Sequence, residues 1–229
     1  MLFYTSKFGY YNNIPLQMDN FIIVIGRQFG CGGREIGQKI AEALGVPYYD
    51  KTLLSKAADE FGMDPEIFQA ADEKRPSFLR NFLGLSCGTS TSPCSPGSLS
   101  SHFALGSLAP ESLYNAQSEV IRKICENGSC VIVGRTADYV MRHHPGLISI
   151  FIQAPLEHRV NKIIDRKDAV TETQAEAMAK KHDKGRESYY NYFTNRSWGT
   201  AGNYHLCFDS SMFDADAIIA LLKSYIASR

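Results

Sequence analysis

Residues 21–37 read FIIVIGRQFGCGGREIG, an apolar run that breaks into a glycine-rich turn and then opens a helical pattern. Phe21 to Ile25 are consecutive apolar residues, the signature of a strand buried on both faces of a parallel sheet. Gly26, Gly30, Gly32 and Gly33 follow, and the helix begins near Gly33. Glycines let the backbone take positive φ and bring successive N–H groups close to a ligand, and the helix start adds its positive dipole end. The combination predicts an anion site, with phosphate as the anion.

Three readings of the loop stand side by side. The P-loop pattern G-x-x-x-x-G-K-[ST] uses its lysine on the terminal phosphates and its hydroxyl on Mg²⁺. If Gly30-Cys31-Gly32 is laid on that pattern, Gly33 stands where lysine is expected and Arg34 where serine or threonine is expected. The dinucleotide pattern G-x-G-x-x-G fits Gly30 and Gly32, and Asp50 lies about 20 residues on, where a ribose-binding carboxylate belongs. Glu35 occupies its third glycine position. The plainest reading is a tight strand-to-helix turn without a ligand.

A chain of 229 residues, 44% of them hydrophobic, buries a full core, so disorder throughout is excluded. Twenty-four basic and 24 acidic residues cancel, so no global field favours nucleic acid or an anionic membrane. The six cysteines have irregular spacing and no C-x-x-C, which suggests neither a zinc site nor a disulfide framework and fits a reducing, cytoplasmic setting. No apolar run approaches the ~18 residues of a membrane span, and the first residues lack a signal-peptide pattern. Residues 1–17 are aromatic and polar without period and read as an N-terminal extension ahead of a domain over 18–229.

Outward from the loop, Ile36, Ile40, Ala41 and Leu44 form the stripe of a first helix, with Gly45 at its end. Val46 to Asp50 reads as a short strand. Asp50 and Lys51 fall at its carboxyl end, where parallel sheets bind ligands, and Asp50 equally suits the N-cap of a helix burying Leu53, Leu54, Ala57, Ala58 and Phe61. A short helix is expected from Asp64 to about Ala71. The Ser-, Gly- and Pro-rich run from Gly84 to Pro110 reads as a mobile loop, and a strong helix follows from Pro110 to a stop at Gly128. Strands are expected at 129–133, 147–152 and 204–208. Between the last two, a helix from Pro155 carries Arg159, Lys162 and Arg166 on one face, and a second, from about Thr171, is read as ending in the charged cluster 180–186. The last helix, about 214–227, turns Ile218, Leu221, Leu222 and Tyr225 inward. Five apolar strands separated by helices make an α/β fold, a five-stranded parallel sheet with helices on both faces. The strand ends gather Gly30 to Arg34, Asp50, Arg135 and the loop after Phe208 into one cleft.

Taken together and in order, RQFGCGGREIG at 27–37, PYYDK at 47–51, VIVGR at 131–135, DKGRESYYNYFT at 183–194 and SWG at 197–199 resemble the cytidylate kinase-like family of P-loop kinases, from about Asn20 to Arg229. The resemblance implies a nucleoside monophosphate kinase type of fold, with an acceptor-binding helical insertion over 51–128 and a lid over 159–200. It implies that Gly30, Cys31, Gly32, Gly33 and Arg34, with Glu35 adjoining, hold the donor phosphates. Asp50, with Lys51 beside it, would stand near the acceptor, and Arg135 would hold the acceptor's phosphate. Lys184 and Arg186, with Arg159 and Arg166, would belong to the lid. The family's loop lysine, its hydroxyl and an acidic residue before the G-R pair are replaced here by Gly33, Arg34 and Val133.

The expected function is therefore phosphotransfer from ATP, with Mg²⁺, to a small phosphorylated acceptor such as CMP or dCMP. Arg34 is expected to take the place of the loop lysine, with Arg27 and Lys39 as other sources of a cation, and Lys184 with Arg186 to stabilise the transferring group. Neither a nucleic-acid nor a membrane partner is expected. The missing lysine and hydroxyl motivate a second reading, a nucleotide-binding or regulatory protein of the same fold without catalysis. A dinucleotide-dependent oxidoreductase using Gly30, Gly32 and Asp50 is the third.

Overall fold

The computed structural model describes residues 20–62 and 110–228. The first strand, β1 (Ile22–Arg27), lies at the centre of a five-stranded sheet, and its apolar residues Ile22 to Ile25 are all buried. It is followed by α1 (Gly33–Leu44), β2 (Tyr48–Tyr49) and α2 (Lys51–Glu60), then α3 (Pro110–Glu126), β3 (Cys130–Val133) and the one-turn α4 (Ala137–Val140). The chain continues with β4 (Leu147–Gln153), α5 (Leu156–Asp165), α6 (Glu172–Thr194), a short 3₁₀ turn at Ala201–Asn203, β5 (Leu206–Asp209) and α7 (Ala215–Ala227). All pairings are parallel in the order β2-β3-β1-β4-β5, with Ile22 opposite Cys130 on one side and Leu147 on the other. Parallel strands need crossovers, and the helices that provide them cover both faces.

Alternate side chains of β1 face opposite layers. Ile23 and Ile25 pack with Ile36 and Ile40 of α1 and with Ile218, Leu222 and Ile226 of α7. Ile22 and Val24 pack with Leu54 of α2 and with Leu113, Val120, Ile121 and Ile124 of α3. A third cluster joins α5 and α6 through Val160, Ile163, Ala175 and Ala179, and Phe29 of the glycine loop packs against it.

The five strands, the parallel sheet and its two covered faces are as the sequence predicts; several details differ. Instead of stopping within 180–186, α6 runs unbroken to Thr194 and ends at Asn195 in a left-handed conformation. Gly185 alone does not stop it, because contacts on both sides hold the helix: His182 stacks on Phe29 at 4.3 Å, and Phe193 stacks on Tyr114 at 4.3 Å. Leu53 and Leu221, predicted inward, are 36% and 48% exposed, because they lie beside rather than on the buried stripes of α2 and α7. Phe61 is only half-buried. The expected helix at 64–71, the Ser-rich segment at 84–110 (apart from Pro110) and the N-terminal extension lie outside the described residues.

Candidate active site

The loop after β1 is shaped by two left-handed glycines, Gly30 at φ 83° and Gly32 at φ 79°, and Gly32 is the N-cap of α1. Both positions need glycine for conformation, and at Gly30 a Cβ would also lie 2.8 Å from the Arg159 carbonyl. The loop is fixed from below. The Ser210 hydroxyl, just past β5, donates to the Cys31 carbonyl at 2.7 Å, and the Ala154 N–H donates to the Gln28 side-chain oxygen at 3.1 Å. The Cys31 thiol is fully buried and donates to the Gln28 carbonyl at 3.1 Å, and burial pushes its pKa up. Cys31 therefore supports the loop and is not a reactive thiol.

From above, α5 and α6 grip the same loop. The Phe29 N–H donates to Asp183 at 2.7 Å, Arg159 pairs with Asp183 at 2.6 Å, and Arg159 also donates to the Phe29 carbonyl at 3.2 Å. Arg186 donates to the Arg27 carbonyl at 3.0 Å. Asp183 thus ties the long helix to the loop, a role not evident from its place in a charged run.

Beside the loop, at the carboxyl ends of β1 and β3, a cleft of about 260 Å³ opens. Arg27, Arg135 and Arg186 converge on it, together with Lys51, Asp138 and the rings of Tyr190, Trp198 and Tyr204. Burial first, then the neighbouring Arg186 and Arg135 guanidiniums, pull the Arg27 pKa down from 12.5 to about 9. Guanidiniums crowded in one cleft are stabilised by an anion with several oxygens, such as a phosphate. The backbone at the cleft floor is left-handed at Gly134, Arg135 and Thr136 in succession, which aims Arg135 from a sparsely populated conformation. Asp138 is buried and accepts from the Tyr190 hydroxyl at 2.8 Å; burial raises its pKa.

Arg27 explains the departure from the P-loop pattern. A Cβ at Gly33, where the pattern has lysine, would lie 2.7 Å from the Arg27 Cβ and 2.9 Å from its Cγ. On the far side, a Cβ at Gly134 would overlap the Arg27 guanidinium. The Arg27 side chain therefore fills the space between two glycines, and position 33 is closed to a side chain.

Of the residues singled out in the sequence, the structure brings Gly30, Cys31, Gly32, Gly33, Arg159 and Arg186 to the loop, and Lys51, Arg135 and Arg186 to the cleft. Asp50 is the N-cap of α2, accepting from Thr52 and Leu53 N–H at 3.0 and 3.1 Å, and its other oxygen pairs with Arg34 at 2.6 Å. Arg34 is 64% exposed at that pair. Glu35 meets Arg166 at 3.5 Å. Lys184 stands apart, 75% exposed and paired with Glu187 at 3.0 Å. Arg27 and Asp138 are charged cleft residues that sequence reasoning did not place there, and the rings of Tyr190, Trp198 and Tyr204 were not singled out either. The G-R pair in VIVGRTAD was the nearest signal for Asp138, a turn further on.

A family model of the cytidylate kinase-like family matches residues 22–212. The chain belongs to this family. Among solved structures, this cytidylate kinase-like chain is similar to an uncharacterized protein from Eubacterium ventriosum, 27% identical, with a TM-score of 0.65 over 91% of this chain and 99% of that one. Fainter likenesses include a shikimate kinase from Bacteroides thetaiotaomicron, at 9% identity and a TM-score of 0.48 over 90% and 98% of the two chains. A gluconokinase from Sinorhizobium meliloti follows at 14% and 0.45 over 93% and 96%. A search of curated proteins finds no match. No described helix is long and apolar enough to cross a membrane.

Proposed function

We propose that this cytidylate kinase-like protein transfers the γ-phosphoryl group of ATP to a small phosphorylated acceptor, with CMP or dCMP as the acceptors the family resemblance implies. One observation carries the reading: a left-handed glycine loop opening α1 lies directly beside a cleft in which Arg27, Arg135 and Arg186 converge. The loop suits donor phosphates and the cleft suits an acceptor's anionic group. In the reaction an acceptor phosphate oxygen bonds to the γ-phosphorus, the bond from that phosphorus to the β,γ-bridging oxygen breaks, and ADP leaves. A phosphate oxygen is already anionic at neutral pH, so no side-chain base is required. Catalysis then rests on alignment and on neutralising spread charge, a role this reading assigns to Arg186, which bridges from α6 to the Arg27 carbonyl.

Among the described residues no group of three or more His, Cys, Asp or Glu side chains is placed to hold a metal ion, an arrangement that Mg²⁺ in phosphoryl transfer does not need. Mg²⁺ would come with the nucleotide, held by phosphates and water.

The test is ADP formation from ATP and Mg²⁺ against CMP, dCMP, UMP, AMP and GMP, with melting temperature followed in parallel. Acceptor-dependent ADP is expected. Stabilisation by ATP without turnover on any acceptor would favour the second reading, nucleotide binding without catalysis, which the Gly33 and Arg34 replacements motivate.

A further inference from the structure

We propose that Lys162, carried on α5 rather than on the loop, is the ammonium that binds the donor's terminal phosphates. This rests on the kinase reading above and names the residue that takes over from the absent loop lysine. The loop cannot supply that cation itself, because a side chain at position 33 collides with Arg27. Nearby guanidiniums are already engaged. Arg34 is held by Asp50 at 2.6 Å, Arg159 by Asp183 at 2.6 Å, and Arg166 by Asp168 at 2.9 Å and Glu35 at 3.5 Å.

Lys162 differs in place and in pairing. Its Nζ lies 3.1 Å from the point a Gly32 Cβ would occupy, directly over the left-handed turn that begins α1. It forms no ion pair among the described residues. The residue is half-buried, as a lysine is when its stem packs against the protein and its ammonium stays in reach of a ligand. A compact charge with three donors on a flexible four-carbon stem suits a phosphate chain laid along a glycine loop. Gly32 is needed for its φ of 79°, and a side chain there would also crowd the ammonium, which lies 3.1 Å from its Cβ position.

The position also has a mechanical consequence. Lys162 shares α5 with Arg159, and Arg159 is linked through Asp183 to α6. A triphosphate bound between Lys162 and the loop would draw the α5–α6 pair against β1, so donor binding would reinforce the position of Arg186 in the cleft.

The experiment compares wild type, Lys162→Met, Lys162→Arg and Arg34→Ala. Binding of ATP and of inorganic tripolyphosphate is measured by calorimetry, and ligand-free melting temperature is measured beside it. Lys162→Met is expected to weaken both probes by at least about tenfold, the loss of one charge-assisted contact. Its melting temperature is expected to stay near wild type, and Lys162→Arg to recover most of the binding. Wild-type affinity in Lys162→Met, or the loss appearing in Arg34→Ala instead, overturns the assignment while leaving the kinase reading in place. Failure of wild type to bind either probe overturns both.

Discussion

Replacing Arg27 with methionine separates the stability of the cleft from its function. The Arg27 pKa falls from 12.5 to about 9, and a shift of that size corresponds to roughly 5 kcal/mol against the charged form. That figure is a ceiling, because Arg27 keeps partial contact with water through the cleft. Exchanging a poorly compensated buried charge for an apolar side chain of similar length recovers about 1–2 kcal/mol. Without ligand, Arg27→Met should therefore melt above wild type, by about 2–4 °C for each kcal/mol in a chain of this size. On the proposed reading the acceptor loses one guanidinium of three, worth ~1.5–3 kcal/mol, so kcat/KM for the acceptor should fall by about 10- to 100-fold. Melting temperature is read with and without sulfate as a simple anion, and kcat/KM at subsaturating acceptor. Sulfate should raise the melting temperature of wild type more than that of the variant. A variant that melts several degrees lower, responds normally to sulfate and keeps its kcat/KM would show that Arg27 is satisfied by the protein, and the cleft would lose its reading as an anion site.

Three further outcomes follow from the same contacts. Asp183→Ala leaves Arg159, only 10% exposed, without its carboxylate and frees the Phe29 N–H. It should cost about 3 kcal/mol in denaturant unfolding, and a loss under 1 kcal/mol would refute the tether. Asp138 has its pKa raised by burial, so the native state holds a proton that the unfolded state releases; stability should decline as pH rises from the ordinary aspartate range through the raised native value. Asp138→Asn should flatten that slope in urea unfolding across the pH series, and an unchanged slope would assign it to another group. Gly33→Lys, which restores the P-loop residue, should destabilise by about 1–3 kcal/mol through collision with Arg27. The penalty should shrink in an Arg27→Ala background, and a double-mutant cycle with no coupling would show that the two positions do not compete.

The sheet is legible in sequence because its strands are buried on both faces and read as plain apolar runs. Ile22 to Ile25, Cys130 to Val133 and Leu147 to Ile152 need no knowledge of their neighbours. Helix caps are equally local: Asp50 and Asp214 both accept backbone N–H groups at the start of their helices. The end of α6 was not legible. Its charged stretch resembles a solvated terminus, yet Asp183 and His182 point at Phe29 of the loop, more than 150 residues earlier in the chain. No local pattern encodes that partnership. The exposure of Leu221 is a milder case, since periodicity gives the direction of an apolar stripe but not its width.

The candidate site divides in the same way. Gly30, Gly32 and Arg135 announce themselves, because a glycine loop after a strand and a G-R pair after another are patterns in consecutive residues. Arg27 does not, although it stands in the decisive stretch. An arginine at the end of a strand gains meaning only when Gly33 and Gly134 are seen to make room for it from two sides. That packing bears on how the missing lysine is to be judged. Read from the motif alone, Gly33 is a replacement that argues for lost catalysis. Read with Arg27, it is one half of an exchange, in which a cation of the loop turns toward the arginine-lined cleft and the space for the lysine closes. On the proposed kinase reading the donor phosphates then need a cation from elsewhere, and α5 places Lys162 over Gly32. Because the Arg27 side chain occupies that space, restoring a lysine at position 33 should damage this protein rather than repair it.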